Sequence, residues 1–328
     1  MILLSVVIPT RNRALFLKEL LFSLTLQTLD KKMFEVIIVD NGSTDETKQV
    51  VEFFYTQLNL RYYYEPTLGL HCGRHLGYRE STSDIIVYAD DDIEACSTWL
   101  EGIWDSFLDE ETMLVGGKNL PLYEITPPFW ILEKWYQITP VGHSMPELSL
   151  IDLGDNSKQI PAYYVYGCNY AIRKSIIEQA HGFHPDGMPF ELIQYRGDGE
   201  FCVNRYIENH HLKVMYNPKA SVYHKVPKSR LTIDYFCKRA FCQGVEMSYC
   251  NLRYGCNQSQ KKNKVQTMMK YLLGISFFRK LNEILEETKK SNYDKMIEKS
   301  FRIGYNYHQT LYQSDPKLRA WVHKENYL

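Results

Sequence analysis

The residues best suited to chemistry are Asp90, Asp91 and Asp92, three consecutive carboxylates directly after the apolar run 85–89. That run reads as a buried strand. Carboxylates at the end of a buried strand repel one another and cost desolvation, so the fold must compensate them. Two compensations are open. A hard divalent cation such as Mg²⁺ or Mn²⁺ prefers oxygen donors and shares them with phosphates. Alternatively, the triplet caps a helix over 93–107, whose N-terminal dipole favours negative charge.

Four further groups carry chemistry, each with a plainer structural alternative. Asp40 ends the apolar run 34–39 and precedes Asn41-Gly42-Ser43; it can accept from a base N–H or a ribose hydroxyl, or simply close an Asx turn. Arg74 lies between Gly69 and Gly77, where its planar fork suits phosphate oxygens or a neighbouring acid. Arg196-Gly197-Asp198-Gly199-Glu200 sets two carboxylates among glycines, placed to take a proton from an acceptor hydroxyl or to cap the next helix. His224 closes a strand, where a neutral imidazole can ligate a metal or serve as a polar edge residue.

The elements that must position these groups alternate between strand and helix. Strand patterns at 3–8, 34–39, 60–64 and 84–89 are separated by helical patterns at 14–26, about 44–58 and 68–81. This alternation predicts βαβ units and a parallel sheet buried on both faces. Ligands bind such sheets beyond the carboxyl ends of the strands. Here those ends carry Pro9-Thr10-Arg11-Asn12, Asp40-Asn41 and the Asp triplet. Residues 114–165 are irregular and rich in proline and aromatics, either a cover for a substrate or a packed surface excursion. A strand and helix follow at 163–178, then a helix near 199–209 and one strand from Lys213 to about His224. The chain thus divides into a catalytic domain over 1–228, with halves of about 1–112 and 113–228, and a mainly helical region over 229–328.

Charge is distributed unevenly between these parts. Residues 1–224 carry 18 Lys+Arg against 30 Asp+Glu, and residues 225–328 carry 20 against 9. A basic region on an acidic body suits an anionic membrane surface, or docking of the region onto its own body. An apolar stripe from Val265 to Leu285 lies beside Lys261, Lys262, Lys264, Lys270, Arg279 and Lys280 and reads as a core face. Eight cysteines without a CxxC pair suit reduced thiols in the cytoplasm. Residues 1–8 do not read as a signal peptide, and no stretch has the roughly 18 apolar residues of a membrane span. No dinucleotide fingerprint follows the first strand, which excludes a dehydrogenase. Nor does the basic glycine-rich loop of a nucleotidyltransferase, although that class and a sugar-nucleotide-binding protein without transfer activity are the competing readings. No nucleic-acid partner is expected.

Taken together, VVIPTRNR, IIVDNGSTDET, GLHCGRHLGYRES, VYADDDIEACSTWL, YGCNYAIRKS, RGDGEFCVNRYIE and YNPKASVYHKV resemble, in order and spacing, the motifs of family 2 glycosyltransferases. The resemblance covers about residues 3–245. It implies the α/β GT-A fold, a Rossmann-like, mostly parallel sheet flanked by helices. It also implies inverting transfer of a sugar from a nucleoside diphosphate sugar, with UDP the expected nucleotide and Mn²⁺ or Mg²⁺ the cofactor. By the same resemblance Pro9, Thr10, Arg11, Asp40, Arg74, Asp90, Asp91 and Asn169 contact the nucleotide sugar. Asp92 and His224 hold the metal, and Asp198 is the catalytic base. Gly197 stands where the family often has glutamate, which leaves Asp198 as the main candidate for the base and Glu200, more readily a helix cap, as the lesser one. The expected acceptor is a hydroxyl of a glycan or lipid-linked glycan in cell-surface polysaccharide synthesis, on the cytoplasmic side of a membrane.

Overall fold

The computed structural model describes residues 1–139, 141–255 and 292–328. The apolar stripe from Val265 to Leu285 and its lysines lie outside the described residues. β1 (Leu4–Thr10) and β2 (Phe34–Asp40) are buried along their whole lengths, as continuous apolar runs covered on both faces must be. With β3 (Leu60–Tyr64) and β4 (Ile85–Ala89) they form parallel pairs in the order β4-β1-β2-β3. α1 (Ala14–Thr25), α2 (Thr47–Phe54) and α3 (Leu70–Glu80) supply the crossovers.

α3 lies unusually close to β1, and its glycines explain how. A Cβ at Gly73 would stand 2.9 Å from Cβ of Pro9, and one at Gly77 would stand 2.1 Å from Cγ1 of Val7. The glycine-containing stretch therefore serves helix–strand packing, and it brings Arg74 down beside the strand ends.

Beyond β4 the chain changes sheets. β5 (Ile93–Ala95) does not continue the first sheet, and α4 (Trp99–Phe107) begins only after it. The Asp triplet therefore sits in the turn between two sheets rather than at a helix start, which removes the capping alternative. β6 (Thr112–Gly116) returns to the first sheet, while β7 (Asn119–Tyr123) joins the second. The stretch 114–165 contributes short strands to both sheets, separated by a helix, 3-10 turns and loops. After α5 (Phe129–Tyr136) it contributes β8 (Ile138–Thr139), β9 (Gly142–Met145) and β10 (Leu150–Asp152) to the second sheet. β11 (Lys158–Gln159) lies at the far edge of the first.

β12 (Asn169–Arg173) runs antiparallel between β4 and β6, followed by α6 (Lys174–Gln179) and α7 (Phe201–Asn209). The single strand expected from Lys213 to His224 is two strands, β13 (Lys213–Tyr216) and β14 (Val222–Val226), in different sheets. Pro218 cannot donate to a ladder. Asn217 meanwhile turns its amide to Gly102 O and Ser106 Oγ and accepts from Lys219 N, so the chain leaves one sheet for the other here.

Three helices complete the described chain: α8 (Ile233–Tyr254), α9 (Asn292–Ser314) and α10 (Pro316–Val322). α8 and α9 cross in backbone contact at Gly244 and Gly304, where added Cβ atoms would meet Phe301 O at 2.1 Å and Phe241 O at 2.0 Å. These helices dock on the acidic body. Glu246 of α8 pairs with Arg196 at 3.1 Å, and Trp321 of α10 donates to Tyr195 O at 2.8 Å. Among the described residues no helix is long and apolar enough to cross a membrane.

Candidate functional site

The carboxyl ends of β1 and β4 open into a cleft of about 390 Å³, closed on the far side by β14, the turn after it and α8. Asp90, Asp91 and Asp92 all line it, but their surroundings differ. Asp91 accepts from Thr10 Oγ1 at 2.7 Å and from Arg13 at 2.8 Å; burial and the neighbouring Asp92 raise its pKa to about 6. Asp92 meets Arg13 at 3.0 Å, Arg230 at 2.8 Å and His224 Nε2 at 3.3 Å. Although Asp92 is buried, His224 and the two arginines hold it well below the usual carboxylate range. Asp90 is the most open of the three, with Arg74 3.8 Å away, and burial raises its pKa. Arginines thus supply much of the compensation that the sequence assigns to a metal.

Asp92 and His224 still fit a divalent cation. Asp92 Oδ1 is buried without a hydrogen-bond partner and faces His224 Nε2, while the other Asp92 oxygen carries the arginines. One oxygen and one imidazole nitrogen, converging on a cleft, are a donor set that Mn²⁺ or Mg²⁺ accepts. His184, Asp198 and Cys202 also gather donor atoms within 4.8 Å. There, however, Arg205 and Tyr254 already bond the Asp198 carboxylate, so that cluster is a buried polar knot.

Three expected site residues do not reach the cleft. Asp40 is 3 % exposed, and its oxygens accept from Ser43 N and Tyr62 Oη, each at 2.7 Å; the Asx-turn alternative describes its geometry. Asn169 is consumed inside the core, donating to Asn119 Oδ1 and Ala220 O and accepting from Trp99 Nε1. Asp198 has no exposed side-chain surface, is locked to His184 Nδ1 at 2.6 Å and Arg205 at 3.3 Å, and borders only a small side cavity. Despite burial, His184 and Arg205 hold its carboxyl well below the usual range.

Glu200, unlike Asp198, lines the main cleft. Gly199 between them has φ +53°, a conformation glycine adopts readily, and the two carboxylates find separate partners. Glu200 lines the cleft, bonded to Arg74 at 3.1 Å and to Gly167 N at 3.2 Å. Arg74, 3 % exposed, is stacked 5.3 Å over Phe183 and bridges Glu200 and Asp90. Pro9, Thr10 and Arg11 also line the cleft.

Sequence reasoning missed Arg13, Asp186, Arg196, Arg230 and Arg239, all on the cleft wall. Arg13, three residues past Thr10 at the same strand end, had a readable signal. Arg230 and Arg239 had none, because only the return of the chain after β14 brings them over the triplet.

His75 is buried, and its Nε2 accepts from Phe183 N at 2.9 Å, which requires the unprotonated ring. Burial lowers His75 to about 3 and its neighbour His71 to about 4.

A family model described as Glycosyl transferase family 2 matches residues 5–180. The chain is 35% identical over 103 residues to a validoxylamine A glucosyltransferase of Streptomyces hygroscopicus (31% of this chain, 24% of the relative). It is 35% identical over 115 residues to glycosyltransferase AglE of Haloferax volcanii (34% of this chain, 38% of the relative). These matches span well under half of either relative's length. A longer match, 21% identical over 282 residues, covers 84% of this chain and 86% of a glucosyl-dolichyl phosphate glucuronosyltransferase of Haloferax volcanii. Among solved structures, the mannosyltransferase PcManGT from Pyrobaculum calidifontis with GDP-Man and Mn²⁺ is similar in fold (TM-score 0.56, 15% identity, 97% of this chain and 84% of that one). So is S. aureus TarS 1-349 with UDP-GlcNAc (TM-score 0.51, 14% identity, 95% and 92%).

Both histidines are neutral in the fold, whereas the unfolded chain protonates them near 6.5. Stability is therefore full above about pH 6.5 and falls as pH is lowered toward 4, by about 1.4 kcal/mol per pH unit for each histidine. Urea denaturation between pH 7 and 4 checks this: His75→Gln should flatten the decline, and an unchanged slope would refute the assignment.

Proposed function

The chain belongs to glycosyl transferase family 2, and from that premise we propose that it transfers a sugar from a nucleoside diphosphate sugar, with UDP the nucleotide, to an acceptor hydroxyl with inversion. The observation that carries this reading is the pairing of two charged stations across one cleft. The triplet with Arg13, Arg230 and His224 forms one, and Glu200 with Arg74 forms the other. Pro9, Thr10, Arg11, Arg74, Asp90 and Asp91 contribute to holding the donor. Asp92 and His224 would hold Mn²⁺ or Mg²⁺, which when bound supplies positive charge for the diphosphate leaving group.

In this reading Glu200 is the base, because a base must reach the proton it takes and Glu200, unlike Asp198, opens into the cleft. Arg74 and Gly167 N fix its orientation. Arg13, Arg230 and Arg74 are preorganised cations beside the developing diphosphate charge, where fixed charges are most effective. Asp198, clamped by His184 and Arg205, positions the turn from which Glu200 projects.

The acceptor is a glycan or lipid-linked glycan of a cell-surface polysaccharide. The basic charge of residues 225–328 supports peripheral contact with the cytoplasmic face of an anionic membrane. Co-sedimentation with phosphatidylglycerol vesicles should fall as salt is raised; no vesicle binding at low salt would overturn that contact.

Two variants separate the roles. Glu200→Gln should retain UDP binding and lose ~10²–10⁴-fold in transfer, measured as UDP release from UDP-sugars, whereas Asp198→Asn should chiefly lower the melting temperature. Near-normal turnover by Glu200→Gln would remove it as base. Asp92→Asn should weaken UDP binding in the presence of Mn²⁺ but not in EDTA, as read by calorimetry. Equal affinities with and without Mn²⁺ in the unmodified protein would overturn metal dependence.

A further inference from the structure

Among the described residues, Asn12, Ser149, His181 and His211 have a left-handed backbone without being glycine. Three of them have local reasons. Asn12 bonds Thr44 N through its own side chain at 2.7 Å, and His181 and His211 stand just past the ends of α6 and α7, where helices commonly finish on a left-handed residue. Ser149 (φ 54°, ψ 33°) is the one of these that lines the cleft. It closes the hairpin between β9 and β10, where glycine or asparagine would take the same φ at less cost. A strained position in a substrate cleft that carries a hydroxyl points to a use for that hydroxyl.

The strained backbone is braced from the core. Ser149 O accepts from Asn119 Nδ2 at 3.1 Å and from Cys168 Sγ at 3.9 Å, and Asn119 Oδ1 accepts in turn from Asn169 Nδ2 at 3.1 Å. Asn169, which does not itself reach the cleft, thus steadies a residue that does. Ser149 hydrogen-bonds described residues only through its backbone and is partly exposed, so its hydroxyl is free for a ligand. Its place is also defined. Asn169 stands opposite Ala89 in the sheet, so Cys168 and Gly167 continue beside the triplet, while Gly167 N holds Glu200 at 3.2 Å. Ser149, against Cys168 and bordering both the cleft and the side cavity, lies between the triplet and Glu200. The transferred sugar must occupy this interval, because in-line attack sets its anomeric carbon between the diphosphate and the acceptor oxygen.

Resting on the transferase reading above, we propose that Ser149 Oγ hydrogen-bonds a ring hydroxyl of the sugar being transferred, which makes Ser149 a specificity-determining residue for the donor. A serine hydroxyl donates and accepts at once, as a neutral sugar hydroxyl does. The brace through Asn119 and Asn169 fixes where Oγ stands before the sugar arrives, so little ordering is left for the moment of binding.

The test compares the full chain with its Ser149→Gly and Ser149→Ala variants, using UDP, UDP-glucose and UDP-N-acetylglucosamine in the presence of Mn²⁺. Both variants lose the hydroxyl, but only glycine relaxes the backbone. Both should bind UDP as the unmodified protein does and lose about 3–10-fold in kcat/KM for UDP release from the preferred of the two sugars, the worth of one hydrogen bond. Ser149→Gly should melt no lower than the unmodified protein, since relief of the left-handed strain offsets the extra chain entropy of glycine. Lost turnover without lost stability is a result that a merely structural serine would not give. Unchanged turnover in both variants would overturn the proposal. So would a loss confined to one variant, which would assign the effect to the backbone, a fall in melting temperature in both, or weakened UDP binding, which would move Ser149 to the nucleotide. If the unmodified protein binds UDP but turns over neither sugar, calorimetric affinity for each UDP-sugar relative to UDP replaces kcat/KM, and variants that leave that ratio unchanged overturn the proposal. Failure of the unmodified protein to bind UDP would instead refute the transferase reading, and the proposal with it.

Discussion

Three carboxylates occupy the turn where the backbone passes from one sheet to the other, and the fold around them supplies cations to Asp91 and Asp92, which it buries. The turn joins β4, whose neighbour β1 delivers Thr10 and Arg13, to β5, whose neighbour β14 delivers His224. The transition between sheets therefore creates the charge problem and also supplies its solution. Isolated, such a cluster would protonate or unfold the turn. Here cations on both sides leave Asp92 ionised while Asp91 is pushed up to about 6. Adjacent residues of one type thus hold different protonation tendencies because each faces a different partner.

The same logic extends across the cleft. Arg74 is buried and pays for its desolvation by bridging Asp90 and Glu200. Gly73 and Gly77 matter to this bridge because they let α3 settle onto β1, which carries Arg74 to the strand ends. On the opposite wall, Gly199 allows Asp198 and Glu200 to diverge, one into a closed network of His184, Arg205 and Tyr254 and the other into the cleft. Backbone contacts that carry no chemistry thus decide which charged groups can act.

The helices after β14 belong to this site as much as to themselves. Arg239 lies on α8 and lines the cleft, and Glu246 from the same helix neutralises Arg196. Beneath them Tyr249 reaches His184, and Tyr254 reaches Asp198. The asymmetry between an acidic body and a basic final region is partly spent inside the molecule by Arg230 on Asp92 and Lys225 on Glu19, whereas the Glu246–Arg196 pair runs the other way.

Much of this was legible in the sequence. Apolar runs ending in polar clusters located β1, β2 and β4 and the edge on which Thr10, the triplet and Arg74 meet, because side-chain periodicity and strand-end chemistry are local properties. The motif order identified the family for the same reason. Tertiary structure decided what local patterns cannot encode. Asp40 and Asn169 carry the right chemistry at strand positions, yet Tyr62 and Trp99 consume their polar atoms from elements distant in sequence. Asp198 and Glu200 are neighbours in one glycine-flanked segment, and only the packing of His184 and α8 against Asp198 leaves Glu200 as the one that faces the cleft. Whether a carboxylate is a base, a ligand or a brace is set by which groups are within about 3 Å of it, and those groups come from sequence separations that no local pattern spans.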